Sequence, residues 1–243
     1  MAGGAGGGAG AVVGAGIVPV ATGSDGGGSI RIPAAACGVV GLKPTRGRVT
    51  WGPLAHEPLL GWAVHFVLSR TVRDTAACLD LLSGPYPGDP WIAPEPSRPF
   101  LDELGLSPAR LRVAYCWEPW SDRAAIDEMR LACEATAQLL EELGHEVREA
   151  RPVFSWEAFC DAMTAVWSTT IAHDIDGFAH AVGRTPGPDT LELPTLRMVE
   201  LGRATSVEQL LAALDAAGYV TRQLGSFFEE YDVLLTPTLG APP

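Results

Sequence analysis

The chain has 243 residues, 47% of them apolar and 19% charged, which suits one large domain or two small ones with a sizeable core. Seventeen Lys and Arg against 29 Asp and Glu give a formal net charge of -12, so nucleic acid and anionic membrane are excluded as electrostatic partners. The five cysteines, Cys37, Cys78, Cys116, Cys133 and Cys160, are odd in number and form no C-x-x-C pair, so they read as reduced thiols of a cytoplasmic protein.

Twelve of the 28 glycines fall within the first 28 residues, where Asp25 is the only charged side chain. The apolar stretch 9–21 is too short and glycine-rich to span a bilayer, and no basic residue precedes it as in a signal peptide. Such a segment is either a flexible tail or a helix and loop whose glycines let other backbone approach; buried-type residues Val12, Val13, Ile17 and Val18 favour the second. Residues 71–82 read as a helix opened by Thr71 and Asp74, with Val72, Leu79 and Leu82 on one face. A Pro- and Gly-rich connection covers 84–99, and 111–116 is a buried-strand candidate. Residues 124–143 form the clearest amphipathic helix, striped by Ile126, Met129, Cys133, Ala137, Leu140 and Leu143 and stopped by Gly144. A strand follows over 145–150. Ser206 and Gln209 cap a long helix to 230, with Gly218 and Gly225 as candidate breaks, and 231–236 is a last buried strand. Helices alternating with apolar strands predict an α/β layered fold.

The chemistry concentrates in Ser24-Asp25-Gly26-Gly27-Gly28-Ser29-Ile30-Arg31-Ile32-Pro33. Consecutive glycines can turn their N–H groups toward one point as an anion nest, and a serine at its end has the placement of a nucleophile beside an oxyanion hole. The same residues also fit a tight glycine turn ending in a helix-capping serine. Elsewhere the signals are weak. Gly8, Gly10 and Gly14 lack the strand and GK[ST] of a nucleotide loop, and His56, His65, His145, His173 and His180 are scattered, so no metal site is expected. Trp156 and Trp167 either pack the core or line a substrate channel.

The run GIVPVATGSDGGGSIRIPAAACGVVGLKPTRGRV, residues 16–49, is similar to the core of the amidase signature family. The similarity continues in LSRTVRDTAACLDLLSG, in LLEELGHEV and in YDVLLTPTLGAPP, and so covers most of the chain. The resemblance implies a partial amidase-signature α/β/α sandwich with a mixed central sheet. It implies a single domain over 1–243, with its signature core in 1–50 and variable loops that carry specificity over 156–189, lacking the family's usual N-terminal portion. It implies Ser29 as nucleophile, the backbone of Gly26, Gly27, Gly28 and Ser29 as oxyanion hole, Asp25 and Arg31 as braces of the loop, and no cofactor.

Two departures stand against that pattern. The family's second serine, 24 residues before the nucleophile in a Gly-Gly-Ser-Ser-Gly-Gly motif, falls on Ala5. The only lysine, Lys43, matches a family position downstream of the nucleophile, which is not the catalytic one. A serine hydroxyl needs a base, and groups acting as a unit are not additive, so these losses argue against ordinary catalysis by this chain alone. Three readings follow: an amide C–N hydrolase acting on small-molecule amides, impaired in its proton relay; an inactive amidase-like fragment or scaffold, a pseudoenzyme; or an amidotransferase-type subunit releasing ammonia from glutamine. Exposed sheet edges in a partial fold would call for a homo-oligomer or a complementing chain.

Overall fold

The structure is a computed structural model that describes every residue except Met1, Gly3, Leu54, Asp122 and Pro243. It opens with helix α1 (Gly7–Gly14), strand β1 (Val20–Asp25), helix α2 (Arg31–Cys37) and the short strand β2 (Val40–Gly41). A four-residue turn α3 (Pro58–Gly61) leads into β3 (Val64–Ser69) and α4 (Val72–Leu82). Then come α5 (Phe100–Glu103), β4 (Arg112–Tyr115), α6 (Asp127–Glu142) and β5 (Glu146–Glu149). Three helices, α7 (Trp156–Val182), α8 (Leu193–Ala204) and α9 (Val207–Glu230), precede the last strand β6 (Val233–Leu235).

The strands form two three-stranded sheets. In the first, ordered β1-β3-β2, every pair is antiparallel, with Val20 opposite Ser69 and Asp25 opposite Val64. Its central strand is buried at every position but His65, as expected of a strand covered on both faces. Ile30, Ala34, Phe66, Val67, Leu68 and Leu79 make the core between this sheet and helices α2 and α4. The second sheet, ordered β5-β4-β6, is parallel throughout, with α6 as the crossover between β4 and β5. The mixed sheet implied by the resemblance is therefore divided, among the described residues, into one antiparallel and one parallel part.

The glycine-rich start is a packed helix. Gly6, Gly10 and Gly14 lie four apart and face the loop and helix that follow β1. A Cβ at Gly10 would stand 3.0 Å from the Pro33 carbonyl oxygen, one at Gly14 would stand 3.0 Å from that of Cys37, and one at Gly6 would overlap the Ser29 carbonyl. These glycines serve helix packing, not a nucleotide loop.

Local capping signals translate directly. Thr71 Oγ1 accepts the Asp74 amide at 3.0 Å, and Ser206 and Gln209 complete a reciprocal capping box. Three expectations need correction. The buried face of α4 is Thr75, Ala76 and Leu79, while Val72 and Leu82 are exposed, because the hydroxyls of Thr75 and buried Ser69 satisfy one another at 2.7 Å. Gly218 and Gly225 interrupt nothing; α9 is continuous through both. Residues 156–182 are one 27-residue helix rather than loops, capped by Ser155 and ended by Gly183 in the left-handed region. No single apolar stripe announces α7 because it packs against α8, α9 and α3 together.

Candidate active site

Strand β1 delivers the chain to Asp25, whose side chain is fully buried at the point where pairing with β3 ends. Three glycines then reverse the chain into α2. Gly28 has φ +114, and a Cβ there would lie 2.6 Å from Ile32 Cδ1, so only glycine fits. The Ile32 amide donates to the Gly28 carbonyl at 2.7 Å, which starts the helix from inside the turn.

Asp25 closes the loop from within. Its Oδ1 accepts the Gly28 amide at 2.7 Å and Arg31 Nη2 at 2.8 Å; its Oδ2 accepts Arg31 Nε at 2.9 Å and the Ile30 and Arg31 amides at 3.3 and 3.4 Å. Burial alone would push this carboxyl up, but the Arg31 guanidinium and the Gly28 and Arg31 amides outweigh it and hold it below the usual range. Hydrogen bonding to Asp25 pushes the Arg31 guanidinium up in turn.

Of the four backbone amides expected to converge, Gly28 is turned inward to Asp25. The N–H groups of Gly26, Gly27 and Ser29 make no hydrogen bond to the described residues. Ser29 is half-buried, and its Oγ likewise has no partner among the described residues. The turn at Ala5 and Gly6 lies beside it, since position 6 abuts the Ser29 carbonyl.

Lys43 lies close enough to the brace to feel the charges of both Arg31 and Asp25. Its Nζ donates to the Pro44 carbonyl at 3.0 Å, and burial, followed by the Arg31 cation, pulls it below an ordinary lysine. A cleft of about 510 Å³ runs between Gly27, Gly28 and Arg31 on one side and Thr236 and Thr238 on the other. A second, apolar cleft of about 410 Å³ adjoins it, lined by Met129, Cys133, Leu235 and Leu239. His173 and His180 lie on α7, and the neighbouring Asp176 is paired with Arg203.

Two residues that motif reading did not assign to the site reach it. The Trp167 ring of α7 covers the Gly26 and Gly27 backbone, and Leu59 of α3 packs on Gly26. The only sequence signal was the Trp itself, open between core and channel.

The profile of the Amidase family matches residues 1–243. The 6-aminohexanoate-cyclic-dimer hydrolase of Paenarthrobacter ureafaciens is 37% identical over 242 residues, covering 98% of this chain and 49% of that protein. An acylamidase of Rhodococcus erythropolis is 35% identical over 238 residues, covering 95% of this chain and 47% of its own. Among solved structures, 6-aminohexanoate cyclic dimer hydrolase complexed with substrate superposes with a TM-score of 0.85 at 36% identity, over 93% of this chain and 48% of that one. A bacterial aryl acylamidase of the amidase signature family gives 0.88 at 26% identity, over 100% and 50%. The chain thus spans about half the length of the curated relatives it matches. With its profile matched from end to end and its fold shared with these enzymes, the chain belongs to the amidase signature family.

Proposed function

We propose that this chain carries the nucleophile and oxyanion site of an amide C–N hydrolase for small-molecule amides. The observation behind this is the loop between β1 and α2, where buried Asp25, paired with Arg31, fixes a turn in which three amides and the Ser29 hydroxyl have no partner among the described residues. Ser29 Oγ attacks the amide carbonyl carbon, and the charge moves to the carbonyl oxygen, where the Gly26, Gly27 and Ser29 amides receive it. The C–N bond breaks as the nitrogen takes a proton, and water then releases the acid from the acyl-serine. The relatives' names, a cyclic-dimer hydrolase and acylamidases, support amides as the substrate class.

The base that takes the Ser29 proton is assigned to groups outside these 243 residues, in the rest of a longer polypeptide, a complementing chain or a second copy. Support comes from Ala5, which cannot relay a proton, and from the half-length match to relatives. The free thiols fit a cytoplasmic setting. A fluorophosphonate probe tests the proposal: labelling at Ser29 that Ser29→Ala abolishes is expected, and no labelling in the presence of the complementing half of a relative overturns it. Ala5 also favours a second reading, an inactive binding relative, which requires that Ser29→Ala leave every measurable amidase activity unchanged.

A further inference from the structure

The Pro- and Gly-rich connection 84–99 has no part in the chemistry above, yet it is tied down along its length. Six prolines between Pro85 and Pro99 restrict its backbone before it folds. The Gly84 amide donates to the Arg48 carbonyl at 3.0 Å, and the Ala93 amide to the Gly47 carbonyl at 3.0 Å. Gly47 has φ +74, and a Cβ there would stand 2.7 Å from the Trp91 carbonyl carbon and oxygen, so only glycine lets the returning chain cross it. At the other end, Asp80 of α4 accepts the Phe100 and Leu101 amides at 2.6 and 3.0 Å and fixes the start of α5. Between these ties lies a cavity of about 510 Å³, whose wall includes Arg48, Ile92, Glu95, Arg98 and Phe100. It shares no lining residue with the two clefts beside the Ser29 loop. The charges on its wall are unequally engaged. Asp80 is held by two amides, and Arg98 Nε pairs with Glu103 at 3.2 Å. Arg48 is half-buried, with its guanidinium carbon 5.5 Å from the centre of the Phe100 ring. Among the described residues that guanidinium has no hydrogen-bonding or ion-pair partner.

We propose that this cavity binds a small organic carboxylate with a flat or compact apolar body, held by Arg48. Stacking on Phe100 keeps the guanidinium in place without occupying it with an oxygen. Its planar fork can then take both oxygens of one carboxylate. Ile92, Phe100 and the prolines offer the body of the ligand C–H and π surface, which rewards leaving water. A phosphate dianion fits worse: it needs more donors than one open guanidinium, and it meets the carboxylates of Asp80 and Glu95 in the same wall. The prolines and backbone ties leave little of the wall to be ordered on binding. The site is independent of the chemistry at Ser29.

The test titrates the full chain with benzoate, benzyl alcohol and inorganic phosphate, followed by the Arg48 Nε–Hε and Ile92 methyl resonances. Benzoate is expected to move both signals to saturation, with benzyl alcohol and phosphate binding at least about tenfold more weakly. Arg48→Lys should weaken benzoate about tenfold, the loss of one charge-assisted hydrogen bond, as read from Ile92. Arg98→Gln, which removes a cation already paired with Glu103, should change the affinity by less than about threefold. Signals that stay still with benzoate, phosphate binding as tightly as benzoate, or an unchanged affinity in Arg48→Lys would each overturn the proposal. So would a larger loss in Arg98→Gln than in Arg48→Lys. Should Arg48→Lys fail to fold, Ile92→Glu decides it. Ile92 is exposed, and a carboxylate there should weaken benzoate more than benzyl alcohol, as read from Arg48. Equal weakening of the two, or none, would overturn it.

Discussion

Ser168 and Gly202 bring α7 and α8 together so closely that a methyl group on residue 202 would overlap the Ser168 carbonyl oxygen. Ser168 is fully buried, and its Oγ donates to the Ala165 carbonyl at 3.3 Å, so its hydroxyl is satisfied within α7 and needs nothing across the contact. Ala172, one turn further on, would also crowd the added carbon at 2.8 Å. Backbone on one side cannot move aside as a side chain tip can. Gly202→Val should therefore destabilise by roughly 3 kcal/mol, lowering the melting temperature by about 10 °C for a chain of this size. Thermal unfolding followed by circular dichroism measures it. A loss below about 1 kcal/mol would mean that the helices do not cross at this point.

Glycines of the same chain should respond in opposite directions. Gly218 and Gly225 are exposed inside α9 with open space where a Cβ would go, so replacing either by Ala should stabilise by about 0.5–1 kcal/mol through lower backbone entropy in the unfolded chain. Gly10 also sits inside a helix but faces Pro33 and Cys37 at 3.0 to 3.2 Å. Gly10→Val should destabilise by roughly 2 kcal/mol despite the gain in helical preference. Denaturant midpoints of the three variants check the contrast, and a common sign for all three would contradict it.

The elements that were legible are those specified by neighbours in sequence. Thr71 with Asp74, and Ser206 with Gln209, fix two helix starts through side chains three residues from the amides they meet. The loop around Ser29 was legible because its glycines, Asp25 and Arg31 lie within a few residues of one another. What could not be read depends on pairs far apart. Trp167 reaches Gly27 only through the packing of α7, and nothing near either residue encodes the meeting. The inward turn of the Gly28 amide is invisible for another reason: the spacing permits four amides to converge, and the buried Asp25 carboxylate claims one of them. Likewise α4 buries Thr75 where the apolar pattern pointed to Val72 and Leu82, because Ser69 supplies a partner from β3.

In the parallel sheet, Asp232 binds Arg112 through Oδ1 to Nη2 at 2.7 Å and through Oδ2 to Nε at 3.2 Å and the Arg112 amide at 2.8 Å, tying the start of β6 to β4. The Arg112 side chain, followed by its amide, pulls the Asp232 carboxyl down to about 2. Arg112→Gln should return its midpoint toward the ordinary aspartate value of about 3.9. Carboxyl ¹³C shifts across an acid titration report it. A wild-type midpoint near 4 would mean that the fork is open in solution.

The Asp25 brace makes the candidate site sensitive to acid in a defined window. Asp25 is buried while Arg31 is 48% exposed, so the pair is anchored on one side and hydrated on the other. Asp25→Asn removes the charge that holds Arg31 and the Gly28 and Ile30 amides, at a cost of roughly 2 kcal/mol, toward the low end for such pairs because Arg31 keeps its water. The folded carboxyl titrates below its unfolded value, so its contribution is complete above about pH 4 and is lost as pH falls through the lower folded value. The gap in melting temperature between wild type and Asp25→Asn should therefore stay constant from pH 8 to pH 5 and narrow only below pH 4. Labelling of Ser29 by a fluorophosphonate should fall in the variant across the whole range, because the amides flanking the hydroxyl lose their fixed turn. A gap that closes above pH 5 would place the carboxyl's folded pKa above the unfolded one and leave the loop without its internal anion.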